Sequence, residues 1–285
     1  MHTSNPDHIC QKTVAIEQHV LLARDTYRLR LPCPSIAANI LPGQFLMLRL
    51  PGANDPLLGR PLALYDTYRD ASGRPQGVDI VYQAIGRMTR RLAALKAGDR
   101  LELWGPLGNG FPPTETGHLI MVAGGIGQTP FLALARHYLG RGDYGQPPRA
   151  VPPAKQVTLC YGHRSSAFLA GVDDFCRLGV EVLISTDDGS AGHCGKVIEL
   201  VPPVVETSPY PCRIVACGPE RMLHATAEMA VRLGLPCQVS LESPMACGIG
   251  ICFSCVTKIR DAGGEWDYRR ICVEGPIFNA KDVEF

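Results

Sequence analysis

The first hundred residues contain short runs in which hydrophobic and polar side chains alternate, interrupted by glycine, proline and aspartate. A period of two is typical of strands that bury one face. One late helix is expected, because Leu92 and Leu95 share a helical face and Gly98 can end it. Six strands with one helix predict a small closed β-barrel. The predicted strands are Thr13–His19, Thr26–Leu31, Gln44–Leu50, Pro61–Tyr68, Val78–Gln83 and Arg100–Trp104, and the predicted helix is Thr89–Lys96.

The hydrophobic pattern changes after residue 113, where continuous apolar runs alternate with helical segments. A continuous apolar run is typical of a parallel strand that is buried on both faces. Strands and helices in alternation indicate βαβ winding, and therefore a parallel sheet with helices on both sides. The predicted strands are Leu119–Ala123, Val157–Tyr161, Val180–Ser185 and Arg213–Ala216, and the predicted helices are Pro130–Leu139, Ala167–Leu178 and Glu220–Leu233.

These patterns divide the 285 residues into three parts. We expect a barrel domain over residues 1–112, an α/β domain over residues 113–238 and a small cysteine-rich domain over residues 239–285. Residues 1–12 are polar and are expected to form a flexible arm. The segment Gly105–Pro113, rich in proline and glycine, is the expected hinge, and Arg141–Lys155 is an expected irregular insertion.

Charge and composition exclude several classes of function. A net charge of +1 and a pI near 7.5 give no electrostatic case for binding nucleic acid. The sequence has no apolar run of about 18 residues and no charged-then-apolar start, so neither a membrane span nor a secretory signal is expected. Twelve cysteines without an export signal indicate a reducing, cytoplasmic environment in which thiols stay free or bind metal.

Four of the twelve cysteines lie close together near the end of the chain. Cys247, Cys252, Cys255 and Cys272 have the spacing C-x4-C-x2-C-x16-C. The first three match the plant-type [2Fe–2S] spacing, in which the fourth ligand comes from further along the chain. Gly248 and Gly250 permit the tight loop that such a cluster needs. A zinc site with four cysteine ligands and a pair of disulfides are the alternatives.

Two segments of the predicted barrel suggest a ligand that carries phosphate. Arg60, Pro61, Leu62 and Ala63 open a strand, where an arginine can pair with a pyrophosphate. Val81, Tyr82 and Gln83 end a strand, and Met88 and Thr89 follow at the start of the helix, whose free N–H groups suit phosphate. Each segment also has a structural interpretation, because an Arg-Pro pair often lies beside a surface turn and Thr89 can cap the helix.

A glycine-rich turn follows the first strand of the α/β part and indicates a nucleotide site. Gly124, Gly125 and Gly127, with Thr129 and Pro130, connect that strand to a helix. Tight packing of strand against helix is the alternative. Ligands of such sheets bind beyond the carboxyl ends of the strands, where we also find Arg164, Asp187, Asp188 and the run Cys217, Gly218 and Pro219. Asp187 and Asp188 are turn formers as well, and Arg164 can simply be a solvated loop residue. Cys217 is the candidate contact for a nicotinamide, with a half-buried cysteine at a strand end as the alternative.

In this order, the segments resemble the ferredoxin reductase-like flavoproteins. Within them the chain is most similar to the electron transfer subunits of class 1B, NAD-dependent dihydroorotate dehydrogenases. The most specific parts of the resemblance are Met245–Cys255 and Arg270–Phe278. The resemblance implies FAD contacts at residues 60–63, 81–83, 88 and 89, and it implies that Cys247, Cys252, Cys255 and Cys272 hold a [2Fe–2S] cluster. Two positions depart from the family, which usually has serine at Ala63 and glycine at Met88.

The function that the resemblance implies is an electron relay in pyrimidine biosynthesis. A partner subunit would oxidise dihydroorotate at FMN, and electrons would pass through the cluster and FAD to NAD, in a heterotetramer with two copies of each chain; NADP stays open. The sequence offers no acid–base pair for substrate chemistry, so no catalytic residue is predicted. The alternatives are a stand-alone NAD(P)H-dependent reductase, a subunit of a sulfhydrogenase or transhydrogenase-like complex, and a zinc-stabilised binding module without redox function.

Overall fold

The N-terminal part is a curled antiparallel sheet in the computed structural model, which describes residues 8–285. Its seven strands have the order β1-β7-β4-β5-β6-β3-β2. Buried aliphatic side chains, such as those of Leu29, Leu48 and Ile80, fill its interior. The elements are β1 (Cys10–Ala15), β2 (Gln18–Ala23), β3 (Thr26–Pro32), α1 (Pro34–Ala37), β4 (Phe45–Arg49), β5 (Arg60–Arg69), β6 (Pro75–Gln83), α2 (Arg87–Ala93) and β7 (Arg100–Leu107).

The first predicted strand is wrong in one respect, because it is two strands. The chain breaks at Ile16 and Glu17, whose N–H groups donate to Asp99 O at 2.8 Å and Arg30 O at 2.9 Å. These two residues carry the chain from one edge strand, β1, to the other, β2, and so the chain itself joins the two edges of the curled sheet. The predicted arm is also shorter than expected, since Cys10–Lys12 belong to β1. Residues 1–7 of that arm lie outside the described residues.

The α/β part has a second seven-stranded sheet, with the order β11-β10-β9-β8-β12-β13-β16. Its first six strands are parallel, as predicted, but the edge strand β16 is antiparallel. Helices α3 and α4 cover one face, and α5 and α6 cover the other. The elements are β8 (His118–Gly124), α3 (Phe131–Tyr138), β9 (Gln156–His163), α4 (Val172–Arg177), β10 (Glu181–Thr186), β11 (His193–Cys194), α5 (Val201–Thr207), β12 (Cys212–Cys217), α6 (Glu220–Arg232), β13 (Cys237–Ser240), β14 (Val256–Arg260), β15 (Trp266–Arg270) and β16 (Ile277–Asn279).

One predicted helix of this part is interrupted. Instead of a helix over Ala167–Leu178, a short 3₁₀ turn covers Ser166–Phe168 and α4 starts at Val172. Gly171 lies between them in the left-handed conformation, with φ +73°. Within residues 8–285, no helix is both long enough and apolar enough to cross a membrane.

The C-terminal segment leaves the second sheet and returns to it. After β13 the chain runs through the cysteine-rich loop and the β14–β15 hairpin, and β16 then pairs with β13, with Ser240 opposite Ile277. The segment also binds the barrel, because the Asn109 amide donates to Glu274 O at 3.0 Å and to Ile277 O at 2.8 Å. The cysteine-rich loop is therefore anchored to both sheets.

Candidate functional site

The four clustered cysteines form one interacting group. The Cys252 thiol interacts with the Cys247 thiol, and the Cys272 thiol interacts with those of Cys255 and Cys247. Cys255 and Cys272 are buried, whereas Cys252 is exposed. All twelve cysteines lie within the described residues, and each is a free thiol, which argues against the disulfide alternative.

Hydrogen-bond donors converge on these sulfurs. The Ile249 N–H donates to Cys247 Sγ at 3.4 Å, and the backbone of Gly250 reaches Cys272. The Ser254 hydroxyl, with help from its own backbone and from Cys247, lowers the pKa of the Cys252 thiol to about 6. Burial raises the pKa of Cys272 to about 12. Backbone donors to three of the four sulfurs suit an anionic iron–sulfur centre. No three potential ligands among residues 8–285 are already grouped closely enough for a single metal ion.

The two predicted glycines of the loop have positive φ angles, +74° at Gly248 and +84° at Gly250. A Cβ atom on Gly248 would lie 2.6 Å from Met47 Cγ, and one on Gly250 would lie 2.6 Å from Val273 Cγ2. Both the conformation and the close approach therefore require glycine. The contact of Gly248 with Met47 places the loop directly on strand β4 of the barrel.

The barrel and the cysteine loop share a hydrophobic cluster and one specific hydrogen bond. Trp104 Nε1 donates to Cys247 O at 2.9 Å. Buried Met47 and Leu107 of the barrel belong to the same apolar cluster as Cys255 and Cys272. In the β4–β5 ladder, Met47 is paired with Pro61, one of the predicted FAD contacts. The cysteines and the predicted flavin segment are thus separated by one strand of the barrel.

The two predicted flavin segments face each other where the barrel sheet splits. Over residues 60–63, β5 pairs with β4, and its pairing with β6 begins only at Leu64. Over residues 81–83, β6 pairs with β3 alone. The facing edges of β5 and β6 therefore have no ladder partner there, and their backbone groups are available to a flat polar ring. This split is the arrangement that fits a flavin.

Side chains in these segments point to both sides of the sheet. Leu62, Tyr82 and Met88 pack into the barrel core, so any contact that they make with a cofactor is left to their backbone. Val81 instead belongs to the apolar cluster of the α/β part, and it faces that domain. Met88, where the resemblance leads to the expectation of glycine, is thus a core residue.

Arg60 and Thr89 differ in whether their polar groups are already engaged within the protein. Arg60 Nη1 donates to the carbonyl oxygens of Leu58 at 3.1 Å and Gly59 at 3.0 Å, and no carboxylate pairs with its guanidinium among residues 8–285. Its charge is therefore free for a pyrophosphate. Thr89 Oγ1 accepts from Gly86 N at 3.0 Å, so its hydroxyl already serves in the turn that starts α2.

The glycine-rich turn after β8 lies beside the end of β12. Ala123 is paired with Cys217, so the turn from Gly124 and the run Cys217, Gly218 and Pro219 meet at one edge of the sheet. The sheet order changes direction between β8 and β12, which is where nucleotides bind in such folds. The structure thus brings together the two segments that were predicted to hold NAD.

The glycines of this turn have different roles. A Cβ on Gly127 would overlap the carbonyl oxygen of Cys217, and one on Gly124 would lie 2.6 Å from Met222 Sδ, so both allow close packing. Gly125 has φ +59°, and the nearest atom to its missing Cβ is His163 Nε2 at 3.8 Å. A Cβ on Gly125 would make only an ordinary van der Waals contact, so close packing does not require glycine there, while the packing alternative accounts for Gly124 and Gly127.

Cys217 has two polar neighbours that sequence reasoning missed. Burial raises the pKa of its thiol well above the usual value, the negative charge of Glu242 raises it further, and Ser240 opposes the rise. Ser240 is paired with Cys217 across β12 and β13. Ser240 ends β13 and Glu242 follows it shortly before the first cluster cysteine, so predicting a strand at Cys237–Ser240 would have drawn attention to both.

The other strand-end candidates are held by neighbours on the protein. The Arg164 guanidinium stacks on Phe168, 3.7 Å from the ring centre. Asp187 pairs with Lys196 at 2.7 Å, and Asp188 accepts from the backbone of Ser190 at 3.0 Å, which is the predicted turn role. These three residues lie beyond β9 and β10, further along the same sheet edge.

Comparison with known proteins follows the division of the chain. Residues 13–111 match the oxidoreductase FAD-binding domain, and residues 242–284 match the iron–sulfur cluster binding domain of dihydroorotate dehydrogenase B. The chain is 35% identical to the dihydroorotate dehydrogenase B (NAD(+)) electron transfer subunit of Caldanaerobacter subterraneus subsp. tengcongensis, over 86% of this chain and 87% of that protein. The chain belongs to this family of electron transfer subunits. The subunit of Desulforamulus reducens is 34% identical over 92% of this chain and 94% of its own length.

The structure of this chain is also similar to solved structures of reductases. The structure of the NADH-dependent reduced ferredoxin-NADP oxidoreductase, described for flavin-based electron bifurcation, superposes with a TM-score of 0.77 at 26% identity, covering 95% of this chain and 89% of that one. The ferredoxin reductase in carbazole 1,9a-dioxygenase shares the fold, with a TM-score of 0.64 at 23% identity over 80% of this chain and 67% of that one. The predicted fold class, family, FAD and iron–sulfur cluster are confirmed, whereas the individual contact residues stay predictions.

Proposed function

We propose that this chain carries electrons from a dihydroorotate-oxidising partner subunit to NAD+, in pyrimidine biosynthesis. The partner would hold FMN, and two copies of each chain would form a heterotetramer. Electrons would enter at a [2Fe–2S] cluster on Cys247, Cys252, Cys255 and Cys272, and leave through FAD. The names of the relatives support the reaction and the need for a catalytic partner.

The observation that carries this proposal is the contact between the cysteine loop and strand β4, which is the ladder neighbour of the predicted flavin strand β5. Gly248 lies against Met47, and Met47 is the ladder partner of Pro61. Trp104 holds the loop in place through the Cys247 carbonyl oxygen. A loop fixed in this way keeps two redox groups at a constant separation, which is what a relay within one chain requires.

The protein's own contribution is position and electrostatics. FAD, when bound, supplies the conversion between two-electron hydride transfer with nicotinamide and one-electron transfer with an iron–sulfur cluster. The open edges of β5 and β6 offer backbone donors and acceptors to the flavin ring, and Arg60 offers positive charge to its pyrophosphate. Cys217 and Gly125 border the place where the nicotinamide nucleotide would lie. A neutral Cys217 thiol fits this role, because burial disfavours its thiolate.

The surface around the cysteines favours a protein partner. Ile251 is 75% exposed, Phe253 is 61% exposed and Ile249 is 42% exposed, all on the loop that also carries exposed Cys252. Apolar side chains grouped on one loop are typical of a protein interface. Docking there would bring the electron donor next to the cluster and exclude water from it.

Cys252→Ser tests the relay, with Cys176→Ser as the control because Cys176 is an exposed cysteine of α4 outside the cluster. In the complex purified with the catalytic subunit, the Cys252 variant should lose dihydroorotate-dependent NAD+ reduction while it keeps NADH oxidation by artificial acceptors. The control should keep both activities. Equal loss of both activities in the Cys252 variant would instead indicate a folding role and count against the relay.

A second candidate follows from the similarity to the bifurcating NADH-dependent reduced ferredoxin-NADP oxidoreductase. This chain would then serve a different partner. Absence of a stable complex with the orotate-forming subunit, together with NAD reduction by ferredoxin, would favour that candidate. Colourless protein with stoichiometric zinc would overturn both, since flavin absorbance and an EPR signal on reduction are expected in either case.

A further inference from the structure

A polar cavity of about 490 Å³ lies between the barrel and the α/β part. Strands β3, β5 and β6 form its barrel side, and α3, α4 and the loop after α3 form the other side. None of the residues predicted to hold FAD, NAD or the cluster lines it. Its volume is within the range of about 300–1,000 Å³ that is usual for small-molecule sites. The cavity is therefore large enough for a ligand that the relay does not use.

The lining is strongly charged, with an excess of positive charge. Six arginines and four aspartates line the cavity, a formal excess of two positive charges. Three of the six arginines are in direct contact with a carboxylate. These pairs are Arg30 with Asp79 at 2.8 Å, Arg136 with Asp66 at 2.8 Å, and Arg177 with Asp174.

The other three arginines, Arg28, Arg69 and Arg141, make no hydrogen bond to a carboxylate within residues 8–285. Arg69 donates to the carbonyl oxygens of Gly73 at 2.8 Å and Asp143 at 2.7 Å, and Arg141 donates to that of Leu178 at 2.7 Å. Carbonyl oxygens satisfy these donors but leave the positive charge of each guanidinium uncompensated.

Arg28 is the least satisfied of the three. Its Nε is buried and has no hydrogen-bond partner among residues 8–285. The nearest carboxylate oxygen, Asp174 Oδ2, is 3.9 Å from Nη1 and already accepts from the Tyr65 hydroxyl at 2.8 Å. The Arg28 side chain is nevertheless 24% exposed and lines the cavity, so its guanidinium is available to an anionic ligand.

We propose that this cavity binds a small phosphorylated molecule whose phosphate group pairs with Arg28. Guanidinium groups bind phosphate bidentately and with about twice the strength of neutral hydrogen bonds. Exposed Arg69 and Arg141 lie at the rim, one on the barrel and one on the α/β part, and they add positive charge from both sides. The bound ligand therefore contacts both domains at once.

The test uses the full-length, FAD-loaded protein and isothermal titration calorimetry at constant ionic strength. Inorganic phosphate and ribose 5-phosphate are the probes, and succinate is the probe for a carboxylate dianion. We expect both phosphate probes to bind in the millimolar range or tighter, and ribose 5-phosphate to bind more tightly than phosphate alone. Arg28→Gln should weaken binding roughly tenfold or more, whereas Arg100→Gln, at an exposed arginine of β7 outside the cavity, should not change it.

Three results would overturn the proposal. The first is no measurable heat with either phosphate probe. The second is unchanged affinity in both Arg28→Gln and Arg69→Gln; Arg69 is exposed and bonded only to carbonyl oxygens, so this variant should keep its fold even if the Arg28 variant does not. The third is equal affinity for succinate, which would show that the site does not select phosphate.

Discussion

Gln128 lies in the turn after β8 with its side chain fully buried, and neither Nε2 nor Oε1 has a hydrogen-bond partner among residues 8–285. An unsatisfied buried polar group costs about 1–3 kcal/mol. Methionine has nearly the same length and volume without the polar atoms. Gln128→Met should therefore stabilise the protein by about 1–3 kcal/mol, because the unpaired amide is removed and the space stays filled.

Gln44 provides a matched control, since it is also a buried glutamine but both of its polar side-chain atoms are hydrogen-bonded. Its Oε1 accepts from Leu41 N at 2.8 Å, and its Nε2 donates to Gly108 O at 2.6 Å. Gln44→Met leaves both backbone groups unpaired, so the same substitution should here destabilise the protein, by about 1–3 kcal/mol for each group. The two variants are thus expected to change stability in opposite directions.

Thermal unfolding of the FAD-loaded protein measures both variants under one set of conditions. A change of 1 kcal/mol moves the midpoint by about 2–4 °C for a cooperative unit of roughly 150–250 residues. We expect a higher midpoint for Gln128→Met and a lower one for Gln44→Met. A lower midpoint for Gln128→Met, similar to that of the control, would show that the Gln128 amide makes hydrogen bonds of value and would refute the reasoning.

Two further predictions concern the barrel and the α/β part. Met88 is 1% exposed in the barrel core, so Met88→Ala should cost about 2–5 kcal/mol, seen as a lower unfolding midpoint; an unchanged midpoint would contradict this. Burial lowers the pKa of His118 below its ordinary value of 6.5, so the folded protein holds this side chain neutral. As the pH falls below 6.5, the unfolded chain binds a proton at His118 before the folded protein does. The free energy of unfolding therefore decreases between pH 6.5 and the lower pKa of the folded state. Midpoints measured between about pH 7.5 and about pH 5.5 should therefore fall less in His118→Gln than in the parent protein, and an identical fall would exclude His118 as a cause.

The hydrophobic pattern predicted an element correctly where that element depends mainly on its own residues. Leu119–Ala123 forms the centre of β8 as predicted, because a continuous apolar run suits a strand buried on both faces. α5 was missed because Pro202 and Pro203 suggest a loop, although proline is well tolerated in the first turn of a helix. β16 has three residues, and it exists only because the chain returns to β13 from far along the sequence.

The same limit applies to the candidate site: features within one segment were predictable, and contacts between distant segments were not. The spacing of the four cysteines was visible in the sequence, because consecutive ligands of one loop are close along the chain. The split between β5 and β6 depends on which strands pair, and sequence alone does not give pairing partners. Arg28, Arg69 and Arg141 come from three distant segments, so no motif could have placed them around one cavity.

The pairing of Ser240 with Ile277 has a consequence for how this family can change. Opposite residues in an antiparallel pair have Cα atoms about 4.5–5.5 Å apart, so the cysteine-rich segment leaves and re-enters the sheet at neighbouring points. In topological terms, it is an insertion into a hairpin. Such a segment can be lengthened, shortened or exchanged during evolution without rerouting any strand of the nucleotide-binding sheet. The cysteine-rich segment between β13 and β16 can therefore vary as one unit. The strands that are predicted to hold the flavin and the nucleotide cannot vary in this way, because each is paired with neighbours in its sheet.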